Sequence, residues 1–189
     1  MRKVLTTLVV LAGVLAIAVG ATAVLAPNLF SRVWATAAPP VCAKVAAVPV
    51  GEITVPSGPV AGYCQDRLVN AAHIMDAARS LGIGKHTQAI GVMTAMGESG
   101  LRVLDHGDAA GADSRGLFQQ RDNGAWGTLA DRMDPYTSAI HFFKKLVSIP
   151  GWKNMTPGEA AHAVQVNQDP NHYDPYWARA QAIVAALSP

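Results

Sequence analysis

Charge and cysteine are both scarce in this chain, and several classes of chemistry lack the residues they need. Charged side chains make up 15% of the sequence and aromatics 6%. The two cysteines, Cys42 and Cys64, form no CxxC spacing, so a structural zinc site has little support. The six histidines show no HExxH or comparable ligand pattern, and His86, His141 and His162 read as surface or helix-side residues. There is no Gly-x-Ser-x-Gly elbow, no Cys–His pair and no phosphate-cradling loop. From residue 61 onward eleven Lys and Arg stand against twelve Asp and Glu, a formal charge of −1. No basic stripe with interleaved aromatics appears there, so nucleic-acid binding has no electrostatic basis. No internal repeat is visible.

What the sequence has in quantity is apolar residues, unevenly spread. Residues 4–26 carry no charge, and Arg2 and Lys3 stand directly before them. A run of about 20 apolar residues can cross a bilayer as a helix, whereas a cleavable signal usually carries an apolar region of only about 7–15. The basic pair favours a cytoplasmic N-terminus with the rest of the chain outside. Ala21-Thr22-Ala23 and Ala35-Thr36-Ala37 have the small-x-small form that keeps cleavage open. The expected location is therefore the cell membrane, single-pass with the C-terminal domain extracytoplasmic, or a secreted form. Residues 27–60 hold six prolines and read as a tether, with a short extended piece at Ile53-Thr54-Val55. In an oxidising compartment Cys42 and Cys64 are expected to pair and fasten the tether to the domain; two unpaired thiols are the alternative.

From residue 61 to 189 the pattern is that of one mainly α domain. Leu68, Ala71, Ala72, Met75 and Ala78 recur at helical spacing until Gly82-Ile83-Gly84. A second helix fits residues 87–97, with Ile90, Val92, Met93 and Met96 apolar. A long polar loop, 97–113, follows, and loops of that length in compact domains are usually functional or disordered. Residues 114–120 fit a short strand or turn. Pro135 starts a third helix to about Val147, carrying Ile140, Phe142, Phe143 and Leu146. Thr156-Pro157-Gly158-Glu159 is a helix start, with Thr as N-cap, Pro first and Glu in the capping-box position. A final helix spans about 175–187.

Glu98 is the residue on which chemistry is expected to turn. It is a lone acid at the end of an otherwise uncharged helix, and a carboxyl partly buried against apolar groups is harder to ionise. Such a Glu keeps its proton near neutral pH and can give it to a leaving oxygen. The plain alternative is a Glu that ends a helix and faces water. About twenty residues on come Gly116-Leu117-Phe118-Gln119. Taken with Glu98-Ser99, this resembles the lysozyme-like soluble lytic transglycosylases and goose-type lysozymes, where a Glu-Ser pair at a helix end is followed after a loop by Gly-Leu-Met-Gln. Phe118 stands for that Met, and the Glu-to-Gln spacing is a few residues longer than usual. The resemblance covers about residues 65–185.

It implies a lysozyme-like helical domain with a substrate cleft, Glu98 as catalytic acid/base, Ser99 fixing the cleft wall and Gln119 lining the sugar site. One Glu suffices in that family. It protonates the glycosidic oxygen and then takes a proton as the sugar's 6-hydroxyl, or water, attacks C1, in contrast to a two-carboxylate arrangement. The family's Ala-Tyr-Asn-Ala-Gly-type stretch has no counterpart with a Tyr: residues 161–167 offer Gln165, and Tyr173 lies nearby in sequence. These two are the further candidates for substrate binding, and the missing Tyr puts turnover in question.

Asp105, His106, Asp108 and Asp113 make the loop after Glu98 acidic. Asp113 or Asp108 could be a second carboxylate that positions water, a solvated loop is the plainer reading, and the spacing does not follow an EF-hand. Trp126, Trp152 and Trp177 are either sugar-stacking or core residues. The expectation is an exported, monomeric enzyme cleaving peptidoglycan glycan strands with no cofactor and no metal, its partners those strands and the cytoplasmic membrane. The rivals are a glycan-binding module without turnover, and an unrelated helical interaction domain. The enzyme and the binding module differ in whether Glu98 is partly buried in an open groove beside Gln119; the third predicts no groove, with the two residues far apart.

Overall fold

The computed structural model describes residues 41–109 and 111–188, which fall within one compact unit, Ala38–Pro189. The apolar run at 4–26, its two small-x-small sites and the anchor expectation lie outside the described residues. Among the described residues no helix is long and apolar enough to cross a membrane.

The domain is mainly α, with six α-helices and a small hairpin among the described residues. The hairpin comes first. Strands β1 (Val48–Val50) and β2 (Ile53–Val55) pair antiparallel, Val50 opposite Ile53 and Val48 opposite Val55. Successive strand side chains alternate between faces, and here Val50, Ile53 and Val55 point into the core while Thr54 faces out. Burying aliphatic side chains of this size stabilises by about 1.5–3 kcal/mol each. The stretch read as a tether thus contributes to the folded body.

Helix α1 (Gln65–Ser80) starts one residue after Cys64, with Asp66 in its first turn and Arg79 in its last, each of the sign the helix dipole favours. Its end is a Schellman turn: Ile83 N–H reaches Ala78 O at 2.9 Å, and Gly82 N–H reaches Arg79 O at 2.9 Å. Gln65 Nε2 donates to Ala46 O (2.7 Å) and Val55 O (3.2 Å), tying the hairpin to this helix. The disulfide Cys42–Cys64 closes the same corner, with the two Cα atoms 5.4 Å apart.

Helix α2 (Lys85–Ser99) is the centre of the fold. Every residue from Thr87 to Met96 is buried, because α1, α5 and α6 all pack on it. It starts two residues earlier than the apolar spacing implies and ends two later, which puts Glu98 inside its last turn. Arg67 Nη1 donates to Gly100 O (2.7 Å) and Asn70 Nδ2 to Leu101 O (2.9 Å). These bonds satisfy carbonyls just beyond the helix end and hold that end against α1.

A one-turn helix, α3 (Leu129–Met133), has no counterpart in the sequence-based reading. Thr128 and Asp131 form its capping box. Asp134 then caps α4 (Pro135–Ser148), accepting from Thr137 N–H at 2.7 Å, with Pro135 in the first turn. The inner stripe of α4 carries Phe142 and Phe143, and Phe142 stacks on Phe118 with ring centres 4.8 Å apart. Thr156 and Glu159 close the expected capping box of α5 (Pro157–Val164). The last segment is a 3-10 turn, Asp174–Tyr176, leading into α6 (Trp177–Leu187).

Candidate functional site

The last turn of α2 opens onto a groove of about 920 Å³. Glu98, Gln119, Gln165, Asn167, Trp126 and His172 are among its lining residues. It lies where the end of α2, the turn at 115–120 and the segment between α5 and α6 meet.

Glu98 is half-buried at this meeting point. Loss of solvation pushes its carboxyl above the ordinary value of 4.5, and repulsion from Asp108 adds to the rise. A hydrogen bond from Tyr173 and attraction to His172 act in the opposite direction without cancelling it. The Tyr173 hydroxyl donates to Glu98 Oε1. The same phenol oxygen accepts from Asn167 Nδ2 at 3.0 Å and lies 3.1 Å from Gln165 O. Burial, the facing Glu98 charge and the hydrogen bond to it hold the phenol far above its usual ionisation range. It therefore remains a neutral donor.

Gly97 lets this contact form. A Cβ there would lie 2.8 Å from Tyr173 Cδ1 and 3.2 Å from His172 Nε2. The His172 Nε2 sits 3.3 Å from Gly97 O, and its ring meets Tyr173 edge-on at 4.9 Å.

The opposite wall is a tight turn. Arg115 and Gln120 exchange backbone bonds of 3.1 and 3.0 Å, and Gly116 N–H reaches Leu104 O at 2.8 Å. Leu117 and Phe118 are fully buried, while Gln119, at φ 45°, is turned to the groove. Ser99 Oγ lies 2.8 Å from Leu117 O and accepts from Arg102 N–H at 3.1 Å. Gln165 Nε2 donates to Phe118 O, which couples this wall to the end of α5. From behind, the buried Arg132 reaches Asp113 O at 3.2 Å and Gln120 O at 3.3 Å and pairs with Asp122 at 3.1 Å.

The site residues named from sequence fall into three groups. Glu98, Gln119, Gln165 and Asp108 share the groove. Ser99 and Tyr173 do not face it: both are buried, and they act on the wall and on the Glu98 carboxyl instead of being open to a ligand. Asp113 departs furthest from expectation. Arg121 and the Asp122 N–H hold its carboxyl down to about 2, and it does not line the groove. Its oxygens are spent on the loop.

Of the three tryptophans named from sequence, Trp126 both belongs to the core and lines the groove, while Trp152 and Trp177 are partly buried against the core elsewhere. Sequence reasoning missed His172 and Asn167: nothing in a Pro-, Asp- and Asn-rich loop announces that His172 has a partner 75 residues away, and Asn167 reaches the Glu98 carboxyl only through Tyr173. Among the described residues no three His, Cys, Asp or Glu are grouped to hold a metal ion. No protein-family model matches the chain, and no curated protein matches its sequence.

Proposed function

We propose that this domain has a lysozyme-like fold and cleaves peptidoglycan glycan strands outside the cytoplasmic membrane, with Glu98 as its single acid/base. The observation that carries the reading is the joint position of Glu98 and Gln119 on one groove, with the Glu98 carboxyl half-buried under the Tyr173 phenol. An unrelated helical interaction domain has no reason to bring these two together.

The geometry supports the following chemistry. A glycan lying in the groove presents a glycosidic oxygen to the protonated Glu98. The proton passes to that oxygen as the bond to C1 breaks and an oxocarbenium-like centre develops. The resulting carboxylate then takes a proton from the group that attacks C1. Attack by the sugar's own 6-hydroxyl yields a 1,6-anhydro end, and attack by water yields a reducing end. Asp108, on the groove with Glu98, is the remaining candidate to hold such a water. Tyr173 supplies a positioning contact to the catalytic Glu from a place in the chain that the family pattern does not mark.

An extracytoplasmic location is supported by the Cys42–Cys64 disulfide, which suits an oxidising compartment, and by the apolar run after Arg2 and Lys3. The test is incubation of the protein and of Glu98→Gln with purified peptidoglycan, followed by mass spectrometry of released fragments. Fragments from the wild type alone are expected, and a mass difference of one water separates the two products. Release by neither protein, with wall binding intact in both, sinks the enzymatic reading in favour of a binding module. Equal release by both removes Glu98 from the mechanism.

A further inference from the structure

The Tyr173 hydroxyl has one proton and two acceptors within reach. One is Glu98 Oε1 and the other is Gln165 O, 3.1 Å away. A third neighbour, Asn167 Nδ2, donates to the phenol oxygen at 3.0 Å. That bond occupies a lone pair and makes the phenol a stronger donor in turn. With the Asn167 amide turned over, its oxygen would face the phenol and become a third claimant on the proton.

The amide is held this way at a cost. Asn167 Oδ1 is buried and has no hydrogen-bond partner among the described residues. A desolvated acceptor left unpaired lowers stability. Leucine, of similar size, would fill the space and leave no acceptor unpaired, so packing alone does not account for an amide here. Asn167 carries no charge, and its side chain's one hydrogen bond among the described residues is to Tyr173. The ionisable groups around Glu98 are others. Tyr173 and His172 approach from the segment between α5 and α6, and Asp108 from the loop after α2. His106, Arg121 and Asp169 line the same groove. Arg67 and Arg102 are turned to Gly100 O and Ser99 O at the end of α2. Asn167 therefore has one route to the Glu98 carboxyl, the phenol.

We propose that Asn167 is a positioning residue: by donating to the Tyr173 hydroxyl it directs that group's single proton onto the Glu98 carboxyl instead of Gln165 O. The inference rests on the glycan-cleaving reading for its purpose, since a carboxylate that has just given up its proton is what such a donor stabilises.

The experiment is a carbon NMR titration of the full chain labelled at its glutamate carboxyls. There are three glutamates, Glu52, Glu98 and Glu159, and the Glu98 signal is the one missing from Glu98→Gln. Losing a hydrogen bond that favours the carboxylate raises the pH at which it ionises. Asn167→Leu is expected to raise the Glu98 midpoint by roughly half a pH unit, and Tyr173→Phe at least as much. The double variant is expected to match Tyr173→Phe alone, because Asn167 then has no phenol to act on. Asn167→Ala carries the same expectation if the first variant does not fold. An unmoved midpoint, with or without a loss of stability, overturns the proposal. So does a shift of the same size in the Tyr173→Phe background, which means that Asn167 acts by excluding water. No glycan is used, so this failure is separate from that of the enzymatic reading. The expected pattern in a protein that releases no fragments keeps the Asn167 contact and sinks that reading alone. In a protein that does release them, the alkaline limb of the pH–rate profile moves with the midpoint.

Discussion

Glu98→Gln probes the electrostatics of the groove with no substrate present. The Glu98 carboxyl is pushed above 4.5 chiefly by burial, so the folded state binds its proton more tightly than the unfolded chain does. Below 4.5 both states hold the proton and Glu98 costs nothing. As the pH climbs from 4.5 towards the raised folded value, the unfolded chain releases the proton first, and stability falls by at most about 1.4 kcal/mol per pH unit. Above the folded value the loss is constant. Gln is isosteric, keeps an oxygen to accept from the Tyr173 hydroxyl and has nothing to ionise. Removing a buried acid from a functional groove commonly gains about 0.5–2 kcal/mol, or a rise in Tm of roughly 2–6 °C for a domain of this size. Thermal unfolding of both proteins at pH 4 and pH 7 measures it, because the difference between them cancels the titration of shared groups. The expected gain is present at pH 7 and small at pH 4. An equal gain at both pH values, or a loss at pH 7, refutes the claim that burial governs this carboxyl.

Tyr173→Phe removes the hydrogen bond that opposes the rise of Glu98. The alkaline limb of the pH–rate profile for glycan release should therefore move to higher pH, with a stability loss of about 1–3 kcal/mol; an unmoved limb rules out the coupling. Replacing Cys42 and Cys64 by Ser opens a 22-residue separation and should cost about 3 kcal/mol in urea unfolding. A cost under about 1 kcal/mol means the corner is held by the hairpin and Gln65 alone. Gly116→Ala places a Cβ 1.9 Å from Arg132 O at φ 77°, so a loss of about 2–4 kcal/mol is expected. Glycan binding should weaken with it, since Gln119 sits on the same turn; full stability in thermal unfolding would show that the turn can yield.

Much of the helical frame is written in short-range signals. The capping box at Thr156 and Glu159 is legible because its two partners are three residues apart. The Schellman stop after α1 is legible because Gly82 is the residue that accepts φ 69°. The Thr128 and Asp131 pair that starts α3 is the same kind of signal, but it introduces one turn and no apolar stripe to mark it as a helix. The hairpin was obscured for another reason. Its prolines argue for a tether, yet Pro49 occupies an outward position of an edge strand, where a missing N–H costs little.

Taken alone, the sequence pointed to the mainly α character and to a solitary acid at the end of an apolar helix; it left Cys42 and Cys64 either paired or as free thiols, and the structure pairs them. Each follows from neighbours within a turn or from composition. Only the tertiary structure decided which groups meet Glu98. Tyr173 and His172 lie about 75 positions away, and they arrive because α6 packs on α2 and Gly97 leaves room. It also decided between two similar aspartates, drawing Asp113 to Arg121 and leaving Asp108 on the groove. A contact between distant residues depends on how helices pack, and no local pattern records that.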